Sequence, residues 1–165
     1  MKMLIDTSYL TKGVRQVMNA VDEPKNANET AVKARIEGYI QSLEMEYLNM
    51  MLGKDLSLSV ARALKEEAAD DLPVLKYVAE KLKEPFANYV FYHILNDMNH
   101  TATITGIVQL KCSNSYVSPI KRQVSVWNTM VDMNREFVDW ARTDECPFKV
   151  QVLSNMLTYI NTLNL

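Results

Sequence analysis

His93 and Asp97 stand four residues apart, and His100 follows three further on. On a helix, positions i and i+4 share a face. The pair can therefore present an imidazole and a carboxylate to one metal ion or to one proton. A metal site needs further ligands, and no cysteine or acidic cluster converges on this stretch in the sequence. A histidine near a helix end that balances the helix dipole is the plainer reading. Other groups invite the same weighing. Glu66, Glu67, Asp70 and Asp71 lack the Asp/Asn–Gly spacing of a calcium loop and read as a solvated helix end. Asp132 and Glu136, with Arg135 between them, read as a wet helix face, because paired acid–base carboxylates need burial. The 4 glycines are scattered at Gly13, Gly38, Gly53 and Gly106, so no phosphate-binding loop is present. Neither G-x-S-x-G nor H-E-x-x-H occurs. Lys111, Lys121 and Arg122, near Tyr116, make a basic cluster too small for a phosphate-backbone footprint. No catalytic residue, cofactor or metal is expected.

Composition narrows the class. At 165 residues the chain is one domain, and it needs no disulfide or metal staple to hold a core. Apolar residues at 48% against 23% charged exclude wholesale disorder. A net charge of −2 argues against nucleic-acid binding through overall charge. Cys112 and Cys146 are too few for a disulfide framework and are expected to be free thiols in a reducing compartment. Met1 to Asp6 holds no long apolar run, so no signal peptide is expected. No window approaches 18 consecutive apolar residues, so no membrane span is expected and the location is read as cytoplasmic.

The elements that must position these residues are mainly helices. The reading is a single-domain, mainly α bundle of about six helices, with one short β segment or hairpin near residues 101–112. Residues 1–28 form an N-terminal arm and residues 29–165 the helical domain. In the arm, residues 4–7 read as extended and residues 12–19 as a short helix, before a polar loop around Pro24. A helix capped by Asn28, with Ala31 three residues on and hence no capping box, runs to Gly53. Gly38 within it suggests close approach of another backbone. A second helix starts at Asp55 or Ser57. A third covers Leu72 to Lys83 and a fourth Glu84 to Met98, with Pro85 near its start. The fourth is apolar on most sides and is the expected central helix. Thr101, Thr103, Ile104, Thr105, Ile107 and Val108 are β-branched, and Gly106 interrupts them, which predicts the strand or hairpin. The last helix is expected from Val150 to Leu163.

The fifth helix, from Ser118 to Thr143, has more apolar surface than one contact needs. About 26 residues of helix span roughly 39 Å. One stripe holds Ile120, Val124, Trp127, Val131 and Val138; a second holds Val126, Met130, Met133, Phe137 and Trp140. The stripes are centred roughly 120° apart. The remaining arc is polar, with Lys121, Ser125, Asn128, Asp132, Arg135, Asp139 and Arg142. Such a helix either lies deep in its own domain or meets a partner on its second face. Trp127 and Trp140, on different stripes, are not expected in the core of the same monomer.

Three segments together carry a resemblance: Tyr39-Ile40 through Glu46-Tyr47-Leu48 to Leu52-Gly53; Pro85-Phe86-Ala87-Asn88-Tyr89-Val90-Phe91-Tyr92; and Ser118-Pro119 through Trp127-Asn128-Thr129-Met130-Val131. Over residues 30–142 the chain resembles the small helical head–tail connector, or head-completion, proteins of tailed phages and prophages. The resemblance implies a non-enzymatic subunit that self-associates side by side into a ring. Its implied partners are portal and tail proteins, with DNA only passing through the channel and no sequence-specific nucleic-acid binding. It implies residence in the host cytoplasm and the virion. The implied subunit interface is Val126, Met130, Met133, Phe137 and Trp140, together with Ile104 and Ile107 of the β segment. The competing reading is a small enzyme or a helical ligand- or protein-binding domain with a pocket near His93, Asp97 and His100. The chain offers no obvious charged segment to line a DNA channel.

Overall fold

The computed structural model describes residues 3–65, 72–98, 100–103, 106–109 and 120–163. The fold is mainly helical. Four α-helices follow one another: α1 (Ala27–Leu52), α2 (Lys54–Lys65), α3 (Leu72–Met98) and α4 (Ile120–Ala141). Between α3 and α4 the backbone of β1 (His100–Thr103) runs antiparallel to β2 (Gly106–Gln109), pairing Thr101 with Val108.

Among the described residues four α-helices stand where six are expected, for identifiable reasons. The third and fourth expected helices are one, because α3 runs through Pro85. Proline removes the N–H that would reach the Lys81 carbonyl and crowds the preceding turn, a local cost of about 3 kcal/mol. Residues 85–91 are all buried. Burial on every side stabilises the continuous helix by more than the proline costs. The last expected helix does not form either. Residues 150–163 are non-helical apart from a single 3-10 turn at Ser154–Leu157, which is flanked by extended backbone at Leu153 and Thr158. Ser154, Asn155, Thr158, Asn161 and Thr162 all favour local side-chain-to-backbone bonds over a helix. The segment is a strap laid along α4.

The N-terminal residues do not stand off as an arm. Leu4, Ile5, Leu10, Val17 and Ala20 are buried in the same core cluster as the helices. The expected helix over 12–19 is replaced by two 3-10 turns, Thr7–Leu10 and Gly13–Arg15. Arg15 fixes the segment to α3, donating to Asn88 Oδ1 at 3.1 Å and to Glu84 Oε2 at 2.6 Å. Arg122 of the basic cluster is likewise spent on this segment, donating to the Val14 carbonyl at 2.6 Å. Lys121 of that cluster is exposed on α4, while Lys111 and Tyr116, and the acidic run at residues 66–71, lie outside the described residues.

The start of α1 also shifts. Asn26 is the N-cap, accepting from the Glu29 N–H at 2.9 Å, while the Glu29 carboxylate turns back to the Lys25 N–H at 2.7 Å. This is a capping-box arrangement displaced by one residue, two residues earlier than the cap at Asn28. At the other end, Gly53 takes a positive φ of 76°, which glycine adopts at little cost. Gly38 is exposed and an added Cβ there would meet open space, so no neighbouring backbone explains it.

α4 packs antiparallel on α3. Trp127 meets Tyr92, the Asn88 amide points at the Met133 sulfur, and Trp140 meets Tyr77. The partner numbers fall along α3 as they rise along α4. α1 closes the third side, with Tyr47 packed between Phe86 and Tyr89 of α3.

Candidate functional site

The histidine–carboxylate pair serves the fold. The His93 ring stands edge-on to Tyr89 at 4.6 Å between centroids and to Tyr92 at 5.5 Å. Burial lowers its pKa below the ordinary 6.5, against the opposing pull of Glu46 and Asp97. Asp97 accepts the hydroxyl of Tyr39 at 2.6 Å and so ties the end of α3 to α1. Burial first, and then this bond to Asp97, raise the Tyr39 pKa. His100 opens β1, and its side chain lies outside the described residues. Among the described residues no three His, Cys, Asp or Glu side chains converge as metal ligands. The Cys146 thiol is free and approaches the Phe148 carbonyl at 3.5 Å; Cys112 lies outside the described residues.

The expected interface stripe divides. Met130 and Phe137 are 0% and 3% exposed and belong to the chain's own core, which corrects their reading as interface. Val126 and Trp140 are half-buried and pack against that core, and Met133 is half-buried as well. Trp127 packs on the same core cluster, so both tryptophans belong to one monomer's core region after all. The physical reason is the width of the platform. α3 touches α4 along both stripes, through Tyr92 at Trp127 and through Tyr77 and Lys81 at Trp140. Ile104 and the side chain of Ile107 lie outside the described residues.

A different face of α4 carries the most organised set of polar contacts. Four of the strap's carbonyls are met by α4 side chains. Asn134 Nδ2 donates to Met156 O at 2.9 Å and Arg135 Nη2 to Leu157 O at 2.9 Å. Trp127 Nε1 donates to Thr158 O at 3.0 Å. Asn128 grips Ile160 from both sides, donating to its carbonyl at 3.0 Å and accepting its N–H at 2.9 Å. The Tyr159 hydroxyl donates to Asp132, and its ring lies under the Arg135 guanidinium at 4.2 Å. Trp127/Asn128 and Asn134/Arg135 are seven residues apart, two helical turns on one face. Asn128, Asp132 and Arg135 belong to the arc that reads as solvated from sequence alone. The available signal was the pair Asn128 and Asn134, poor helix formers placed beside an apolar stripe.

The strap is joined to the interior by one relay. Tyr47 of α1 donates to Asn134 Oδ1 at 2.7 Å, and Asn134 in turn donates to Met156 O. Tyr47, Asn134 and Met156 are all fully buried. Burial of Tyr47 raises its pKa well above the ordinary value. A second buried polar anchor lies about one turn before Tyr47 on α1. The Glu44 carboxylate, 6% exposed, accepts the Leu4 N–H at 2.7 Å. Burial raises its pKa, opposed by that hydrogen bond and by Lys65.

Two clefts bear on ligand binding. One, between the N-terminal segment and α1, is lined by Val17, Val32, Arg35, Ile36, Tyr39 and Ile94 and has a volume of about 110 Å³, small beside the roughly 300–1,000 Å³ of ordinary ligand pockets. The other, about 880 Å³, lies between the end of α4 and the connection to the strap, bounded by Val138, Ala141, Cys146, Phe148, Val150 and Leu157. Neither contains His93. Comparison with protein-family models, with curated proteins and with solved structures finds no match to this chain.

Proposed function

We propose that this chain is a non-enzymatic structural subunit of a phage or prophage particle, a head–tail connector or adaptor that assembles side by side into a ring. What supports the reading is the antiparallel backbone pairing of His100–Thr103 with Gly106–Gln109 after the end of α3, two strands among the described residues. A two-stranded sheet is marginal by itself, and a strand of another subunit added at an edge would extend it. Ile104 and Ile107 fall in this segment and are its proposed contact residues. Val126, Met133 and Trp140 are the stripe residues with surface left to contribute. The chemistry-bearing groups support the same reading, because Glu44, His93 and Asp97 are each engaged in contacts that hold the fold. The partners are portal and tail proteins; DNA passes through the channel without being read. The site of action is the host cytoplasm and the virion, and no helix among the described residues is long and apolar enough to cross a membrane.

Light scattering on a sizing column across a concentration series, with negative-stain imaging of any large peak, tests the reading. A closed ring is expected, either from the chain alone or on a portal ring added as template. A species that stays monomeric at high concentration under both conditions overturns it.

A further inference from the structure

We propose that the C-terminal strap, residues 153–163, is exchangeable, and that its groove on α4 takes the strap of a second copy of this chain in the assembled state. The groove is built to hold an extended backbone. Four successive contacts run from α4 side chains to the carbonyls of Met156, Leu157, Thr158 and Ile160, and Asn128 closes the set by accepting the Ile160 N–H. Met50 of α1 adds a fifth point, its carbonyl accepting the Leu153 N–H at 2.9 Å. Six main-chain atoms on five residues and one fully buried side chain, Met156, hold the strap. Its remaining side chains are largely outside: Leu153, Tyr159 and Leu163 are 53%, 45% and 91% exposed. When such a segment leaves, Met156 and the half-buried Leu157 and Ile160 are withdrawn and Asn134 loses its acceptor, while the contacts of α3 with α1 and α4 stay in place.

The occupant follows from the chemistry of the groove. A pocket fitted to Met156 and a ladder fitted to the next four residues already accept this sequence, and every copy of the chain presents both the ladder and the strap. The connection supports transfer. Residues 142–152 arch over the 880 Å³ cleft at the end of α4. Once Phe148, Val150 and Val152 leave their half-buried places against the core, these eleven residues can extend to roughly 36–40 Å, more than the roughly 33 Å length of α4. A strap can therefore reach the equivalent groove of an adjoining subunit. Exchange of an identical element between protomers is a low-cost route to assembly because the contacts are the same in both states. The proposal deepens the reading of the chain as an assembly subunit by naming the segment that links neighbours.

Disulfide trapping tests it in the full chain. The Asn155 amide lies 4.0 Å from the Met50 sulfur, so this pair reports a seated strap. On a Cys112→Ser, Cys146→Ser background, one variant carries only Met50→Cys and another only Asn155→Cys. They are mixed at assembly concentration and oxidised. Covalent heterodimer is expected, well above the background from Met50→Cys mixed with a variant carrying Val14→Cys, an exposed position. Heterodimer at or below that background overturns exchange. A chain carrying both cysteines serves as the reference: an internal disulfide with no heterodimer in the mixture shows a strap that stays on its own subunit. Absence of both bonds removes the seated strap itself and overturns the proposal as well. Ring formation by light scattering is read separately on the unoxidised protein, so a negative trapping result leaves the assembly reading standing on its own test.

Discussion

At the scale of single residues, the buried polar atoms define what the interior tolerates. Tyr47, Asn134 and the Met156 carbonyl form a relay across three elements, each member fully buried. Tyr47→Phe keeps the ring contacts with Phe86 and Tyr89 but leaves Asn134 Oδ1 without its donor. The expected cost is about 1–3 kcal/mol, read from urea denaturation; a loss below about 0.5 kcal/mol would show that the relay is not formed. Glu44 behaves differently. Its pKa in the folded chain lies above the ordinary 4.5, because burial outweighs the Leu4 N–H and Lys65. A carboxyl with a raised folded pKa favours folding most below its unfolded value, and that contribution is lost as pH rises through the folded value. Glu44→Gln retains an acceptor for Leu4 without the buried charge. Its stability relative to the parent is therefore expected to increase from pH 4 to pH 7. A difference that is flat, or that falls with pH, contradicts the assignment. Neither buried group was visible as such in the sequence. Glu44 sits among ordinary helical charges, and Asn134 lies two residues from Asp132 on a helix that reads as wet on that side.

At the scale of elements, helices with long apolar spacing were legible and the connections between them were not. α1 and α4 follow from their periodicity because each buries a continuous face. The joining of two expected helices into α3 was hidden by Pro85, whose local cost is outweighed by burial that no local pattern reports. Gly38 of α1 has no packing role, so Gly38→Ala is expected to stabilise the helix by up to about 1 kcal/mol, seen as a higher denaturation midpoint with an unchanged slope. A lower midpoint would place an undescribed contact at that position. The N-terminal segment is part of the core and not an arm. Leu10 is fully buried, and Leu10→Ala is expected to cost about 2–5 kcal/mol. A free arm would give a change within about 0.5 kcal/mol. The strap was misread as a helix because Leu153, Met156, Leu157 and Ile160 fall in helical register. Their polar neighbours decided otherwise.

At the scale of the whole molecule, stability is graded from the middle of α3 outward to the strap. Residues 86–91 are surrounded by α1 and α4, whereas the strap hangs on α4 side-chain donors of which only Asn134 is fully buried. In native-state hydrogen exchange the amides of Leu153 and Ile160 are expected to exchange faster than those of residues 86–91, through an opening that leaves the helices intact. Equal protection of the two regions would mean that the strap opens only with the whole fold. By itself the sequence determined that the chain is mainly helical, where α1 and α4 run, and that α4 has two apolar stripes. Those properties are periodic and local, so a single chain's pattern carries them. Only the tertiary structure decided which surfaces the stripes meet, that α3 is unbroken, and that the N-terminal segment and the strap pack onto the helices. These depend on partners distant in the chain: Arg15 with Glu84, Leu4 with Glu44, Asn128 with Ile160. The gain from long-range burial and from satisfying buried polar atoms is set by three-dimensional proximity, which spacing along the chain does not encode.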